Sequence, residues 1–76
     1  MDTSSIEQMI REGLPDATVK VTGDDGVHFE AHVVSPSFAG KATLQRHRMV
    51  YATLGKFMGN EIHALGLKTE SPEEAG

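Results

Sequence analysis

The chain has no cysteine and no tryptophan, and only one tyrosine and three phenylalanines among its 76 residues. Without a thiol, a disulfide framework, a thiolate nucleophile and any cysteine-ligated metal site confined to this chain are excluded. Iron-sulfur chemistry here has to borrow thiolates from elsewhere. No apolar run approaches the roughly 20 residues of a membrane helix, and Met1-Asp2-Thr3-Ser4-Ser5 has neither the basic nor the apolar region of a signal peptide. The expectation is a cytoplasmic protein without a membrane partner.

Acid is missing locally. No aspartate or glutamate occurs from Ala31 to Asn60, yet Lys41, Arg46, Arg48 and Lys56, four of the seven cations, fall in that window. The whole chain carries a net charge of -4, which argues against general nucleic-acid binding, because such affinity comes mainly from neutralising phosphates. The sequence also has no paired nucleophile and base with an orienting group and no phosphate-cradling glycine loop, so a non-enzymatic role is expected.

With 38% hydrophobic and 24% charged residues, the composition is that of one folded domain, expected over residues 1–70 with a flexible tail at 71–76. A domain of this size buries only about 60% of the surface its unfolded chain exposes, so its stability is expected to be modest.

Ser4-Ser5-Ile6-Glu7 reads as a capping box opening a first helix. Ile6, Met9 and Ile10 share one face of it, and Gly13-Leu14-Pro15 reads as a left-handed cap and stop. Ala17, Val19 and Val21, then Val27, Phe29, Ala31 and Val33, alternate with period two around Gly23-Asp24-Asp25-Gly26, which predicts a hairpin. His28, Glu30 and His32 fall on the face opposite Phe29.

Ser35-Pro36-Ser37 ends the second strand. Helical spacing then runs from Thr43 to Met58, with Val50, Tyr51, Leu54, Phe57 and Met58 on one stripe. His47 lies near the middle of that stripe, while Arg46 and Arg48 diverge to its sides. Gly59-Asn60 stops the helix and Ile62 to Leu67 reads as a third strand. The predicted order is α-β-β-α-α-β, an α/β (α+β) domain with a three-stranded mixed sheet and helices packed on one face. A strand that returns to the same sheet through a helical crossover runs parallel to its neighbour. The starts of the second and third strands, with His28 and His63, then lie at one end of the sheet.

Phe38-Ala39-Gly40, Arg46-His47-Arg48-Met49-Val50-Tyr51 and Ile62-His63-Ala64-Leu65, in that order after a strand-turn-strand pattern, resemble the BolA family over nearly the whole chain. The absence of cysteine and the stretch Gly23-Asp24-Asp25-Gly26-Val27-His28-Phe29 are similar to its short bacterial members of the IbaG (YrbA) type. The resemblance implies a heterodimer with a monothiol glutaredoxin of the CGFS type, in which a [2Fe-2S] cluster is bridged between the proteins. The glutaredoxin cysteine and a glutathione supply thiolates, and the invariant histidine of the family matches His63. No cofactor is expected in the isolated chain.

From the residues alone, His63 is either a ligand or a strand-end histidine satisfied by a backbone carbonyl. The resemblance implies a second ligand from the hairpin region, His28 or another group such as Asp25, because members that use cysteine carry it in this loop. His28 reads equally well as an exposed strand residue. His32 lies about 13 Å further along the strand, too far to share an ion with His28, and reads as a surface residue. His47 is expected to order the turn around Phe38 and Gly40.

Lys41, Arg46 and Arg48 form a candidate partner or nucleic-acid surface, fit for an acidic protein, for glutathione carboxylates or for phosphate. The alternative function is DNA-binding regulation of transcription or stress response, since the element order resembles the type II KH topology. Against it, the clamping Gly-x-x-Gly loop is missing, with Gly40-Lys41-Ala42-Thr43 in the comparable region. A homodimer is a further possible assembly.

Overall fold

The structure is a computed structural model that describes residues 1–76. A first helix, α1 (Thr3–Gly13), leads to strands β1 (Thr18–Thr22) and β2 (His28–Val34). A single 3-10 turn (Pro36–Phe38) precedes helix α2 (Thr43–Leu54), and a second (Gly55–Phe57) follows it. Strand β3 (Ala64–Glu70) and a short helix, α3 (Pro72–Ala75), complete the chain. The first of the two expected middle helices is thus one 3-10 turn, and the sequence Ser-Pro-Ser explains why. The proline lacks an N–H, and Ser35 Oγ accepts the Ser37 N–H at 3.0 Å, which tightens the turn.

The α1 cap is Asp2, whose carboxylate accepts the Ser5 N–H at 2.8 Å, rather than the Ser4–Glu7 box the sequence suggests. Glu7 is engaged elsewhere, since it accepts the Val21 N–H at 3.0 Å and pairs with Arg11 at 3.1 Å. Gly13 is the last residue of α1, but its φ is not positive, so it is no left-handed cap. A Cβ there would lie 2.5 Å from Thr53 Cγ2, which means that glycine lets α1 approach α2.

The sheet order is β1-β2-β3, with β1 antiparallel and β3 parallel to β2, as the crossover argument requires. The parallel register pairs His28 with Ala64 and Val34 with Glu70. Inward positions Val19, Val21, Phe29, Ala31, Val33 and Leu65 join Ile6, Ile10, Phe38, Val50, Leu54 and Ile62 in one core under the helices. The other face, with Lys20, His28, Glu30, His32, Gly66 and Lys68, is open to solvent. No buried side-chain nitrogen or oxygen lacks a hydrogen-bond partner. No helix is long and apolar enough to cross a membrane.

Both outer edges of the sheet are occupied by side chains. Glu7 and Arg11 bond the Val21 N–H and the Val19 carbonyl on β1, while Tyr51 Oη and Arg46 Nη1 donate to the Leu65 and Thr69 carbonyls on β3. Such capping removes the template by which a sheet recruits another strand.

Residues 71–76, expected as a flexible tail, carry the short helix α3 (Pro72–Ala75). Ser71 Oγ accepts the Glu74 N–H at 3.4 Å and Glu74 accepts the Ser71 N–H at 2.7 Å, a capping box with Pro72 at the first turn. Glu74 also receives both terminal nitrogens of Arg46, at 2.6 and 3.2 Å. Arg46, and after it the Ser71 N–H, holds the Glu74 carboxyl down to about 2 from an ordinary 4.5.

Two outcomes follow from this packing. Gly13→Ala is expected to destabilise the protein by about 1–3 kcal/mol through overpacking, against the gain of roughly 1 kcal/mol that alanine gives in an open helix. The midpoint of urea unfolding reads the sign. Because the folded Glu74 pKa lies below its unfolded value, its contribution is complete above about pH 4.5 and is lost as pH falls toward 2. Glu74→Gln therefore lowers the urea midpoint at pH 7, and the gap from the natural chain closes over that acid window.

Candidate functional site

The hairpin loop is built around Asp25. One of its oxygens, Oδ1, accepts the Val27 N–H at 3.0 Å and the His28 N–H at 2.7 Å, while Gly26 takes φ 80° to reverse the chain. The other oxygen, Oδ2, lies 2.6 Å from His28 Nδ1. The His28 N–H, then the Val27 N–H and the His28 ring hold the Asp25 carboxyl well below the usual carboxylate range.

His63 comes to the same place from the other side. It precedes β3 by one residue, and the Val27 carbonyl accepts its N–H at 2.8 Å and that of Ala64 at 3.2 Å. The backbone of His63 is satisfied there, while its ring is free of any hydrogen bond to the protein. His28 and His63 meet with ring centroids 5.4 Å apart and planes at 83°. Two imidazoles on one tetrahedral ion, with metal–nitrogen distances of about 2.0–2.1 Å, have ring centres roughly 5 Å apart. The observed spacing matches that requirement, and both residues are exposed, so their rings are reachable.

No group of three or more His, Cys, Asp or Glu side chains that could hold a metal ion occurs in the chain. The convergence of two imidazoles is what the protein offers toward a metal ion, so a centre here would take its remaining donors from another molecule. An open trough beside His28, lined by Thr22, Asp24, Glu30, Ala64 and Gly66 among others, leaves room for one.

The remaining sequence-predicted residues separate. Arg46 is only 8% exposed and does not belong to a free cationic surface. Its Nε donates to the Lys41 carbonyl at 2.9 Å, its guanidinium lies 5.9 Å from the Phe38 ring centre, and its terminal nitrogens grip Glu74 and the Thr69 carbonyl. Glu74 raises the Arg46 pKa above its ordinary value. Arg46 thus orders the Phe38–Lys41 turn, the task expected of His47. His47 is half-buried and stacks edge-on to Tyr51 at 6.4 Å, without a hydrogen bond. A capping-box pattern, Ser-x-x-Glu at 71–74, was the signal available for this tie, but no short-range pattern names Arg46 as the partner of Glu74.

Lys41 and Arg48 are exposed and form no ion pair. Lys41 is at the wrong end of the sheet to join His63. Helix α2 runs with Arg46 beside Thr69 and Tyr51 beside Leu65, so the Lys41 end is separated from His63 by about six residues of β3, on the order of 20 Å. His32 is exposed and hydrogen-bonded to Glu70 at 2.6 Å, well away from the pair. Between Lys20 and Lys68 in the register, it completes a cross-strand basic row that reading single strands does not reveal.

The family model "BolA-like protein" matches residues 8–74. A BolA homologue from Coxiella burnetii is 47% identical, with a TM-score of 0.89 over 99% of this chain and 96% of that one. The solution structure of the XC975 protein is 64% identical, with a TM-score of 0.66 over 97% of this chain and 92% of that one. The Escherichia coli protein described as "DNA-binding transcriptional regulator BolA" is 43% identical over 47 residues, covering 62% of this chain and 45% of that protein. The chain spans 58% and 60% of the length of the human and Arabidopsis thaliana relatives it matches.

Proposed function

The chain belongs to the BolA family, and on that footing we propose that it partners a monothiol glutaredoxin and supplies histidine ligation to a shared [2Fe-2S] cluster, in iron-sulfur trafficking or iron homeostasis. The observation that carries this reading is the convergence of His63 and His28, 5.4 Å between ring centres, in a chain that forms no group of three or more side chains able to hold a metal ion. A site with two imidazoles and no thiol is half a coordination shell. The glutaredoxin cysteine and glutathione provide the thiolates that a chain without cysteine lacks. When bound, the cluster would supply one-electron chemistry, at a potential raised by histidine in place of cysteine. His63 and His28 would hold it, with the Val27 carbonyl and the hairpin backbone positioning the two residues.

The second reading, DNA binding, draws support from the name of the Escherichia coli relative and from the exposed, unpaired Lys41 and Arg48. These two residues remain a candidate partner or nucleic-acid surface, distinct from the imidazole pair. Arg46 does not join them, since its charge is committed to Glu74.

Titration of the protein with a [2Fe-2S]-loaded monothiol glutaredoxin and glutathione is expected to change the visible absorption and circular dichroism. His63→Ala removes the change and His28→Ala weakens it; a change that survives His63→Ala contradicts the ligand assignment. For the second reading, a duplex is retarded at low salt, and Arg48→Ala lowers the slope of log K against log salt by about 1. No retardation at low salt counts against that reading.

A further inference from the structure

Asp25 presents two choices for the imidazole pair: a third ligand, or a group that arranges the other two. Its hydrogen bonds decide between them. Oδ1 is occupied by two backbone N–H groups at 3.0 and 2.7 Å, which fix the loop, and Oδ2 faces His28 Nδ1 at 2.6 Å. Three of the carboxylate's roughly four lone-pair sites are thus taken by contacts that fix the loop and the ring.

We propose that Asp25 is a positioning residue, which holds His28 as the Nδ1–H tautomer and leaves Nε2 as the nitrogen that binds metal. The inference rests on the cluster-sharing reading above and specifies how this chain prepares for it. An ionised carboxylate only accepts hydrogen bonds. At 2.6 Å its partner therefore donates, so the proton is on Nδ1. A neutral imidazole has one N–H, and Nε2 is then left with its lone pair exposed to incoming metal.

The same contact limits the rotation of the ring, because the loop bonds from Val27 and His28 hold the carboxylate in place. The carboxylate–histidine pair also makes the imidazole a better donor to metal, as such partners do in other metal sites. His63 has no corresponding partner: none of the side-chain hydrogen bonds or ion pairs of the chain involves its ring. The two ligands are thus unequal, with His28 set by the hairpin and His63 free to adjust to the incoming cluster. This asymmetry puts the fixed member of the pair on the hairpin loop.

The test is long-range 15N–1H NMR of the imidazoles in the metal-free full chain, at a pH where histidine is neutral. The proposal requires a protonated Nδ1 and an unprotonated Nε2 for His28 in the natural sequence. An Nε2–H signal for His28 overturns it without reference to any variant. In Asp25→Asn the side-chain amide can donate to Nδ1, and the population shifts toward Nε2–H. Affinity for Co2+ alone, followed by its visible spectrum, is expected to fall about 10- to 100-fold in that variant. An unchanged tautomer together with unchanged Co2+ affinity in Asp25→Asn overturns the positioning role. Failure of the cluster-sharing reading has a different signature: Co2+ binding that neither His28→Ala nor His63→Ala alters, whatever the tautomer.

Discussion

The carbonyl of Val27 accepts two N–H groups, from His63 and Ala64, and the rest of the site depends on that bifurcated contact. It starts the parallel pairing of β2 with β3 and brings the residue before β3 against the residue that opens β2. Because side chains alternate along a strand, a one-residue slip in this register would move His28 to the core side and Phe29 to solvent. Burial of Phe29, Ala31 and Val33 therefore guards the position of His28. The core thus determines where the imidazoles are.

A second constraint closes the opposite end. Arg46 gathers the Lys41 and Thr69 carbonyls, the Phe38 ring and both oxygens of Glu74 around one guanidinium. In a chain of 76 residues with a core of 12 buried apolar side chains, such a tie anchors the last strand and the last helix to α2. The molecule thus has one end held by a charge-assisted network and another where two imidazoles meet. This division explains why the most conspicuous motif, Arg46-His47-Arg48, contributes mainly to architecture: Arg46 faces inward, His47 packs on Tyr51, and only Arg48 is exposed.

The alternating patterns of β1 and β2, the parallel direction of β3 and the convergence of His28 with His63 were legible in the sequence. Each follows from a local period or from the handedness of a crossover. What escaped were contacts between distant segments whose residues look ordinary in isolation. Gly13 carries the signature of a helix cap, but Thr53, forty positions later, is what requires it to be glycine. Glu74 reads as part of a charged tail until Arg46 is placed beside it. Asp25 was visible as a hairpin residue and a conceivable ligand, but its actual allegiance, to two backbone N–H groups and a ring nitrogen, needs coordinates.

Under the proposed function, a chain with two convergent imidazoles and no thiol would share a metal centre rather than keep one. Its small size favours the same role, since a partner that binds only the folded form adds to its stability by mass action. The central claim is that both imidazoles reach iron in the shared cluster. Pulsed EPR of the reduced [2Fe-2S] cluster in the complex with glutaredoxin and glutathione tests it most directly, with histidine nitrogen labelled in this chain alone. The account predicts two strongly coupled nitrogens from labelled histidine; a spectrum without coupled histidine nitrogen would contradict it.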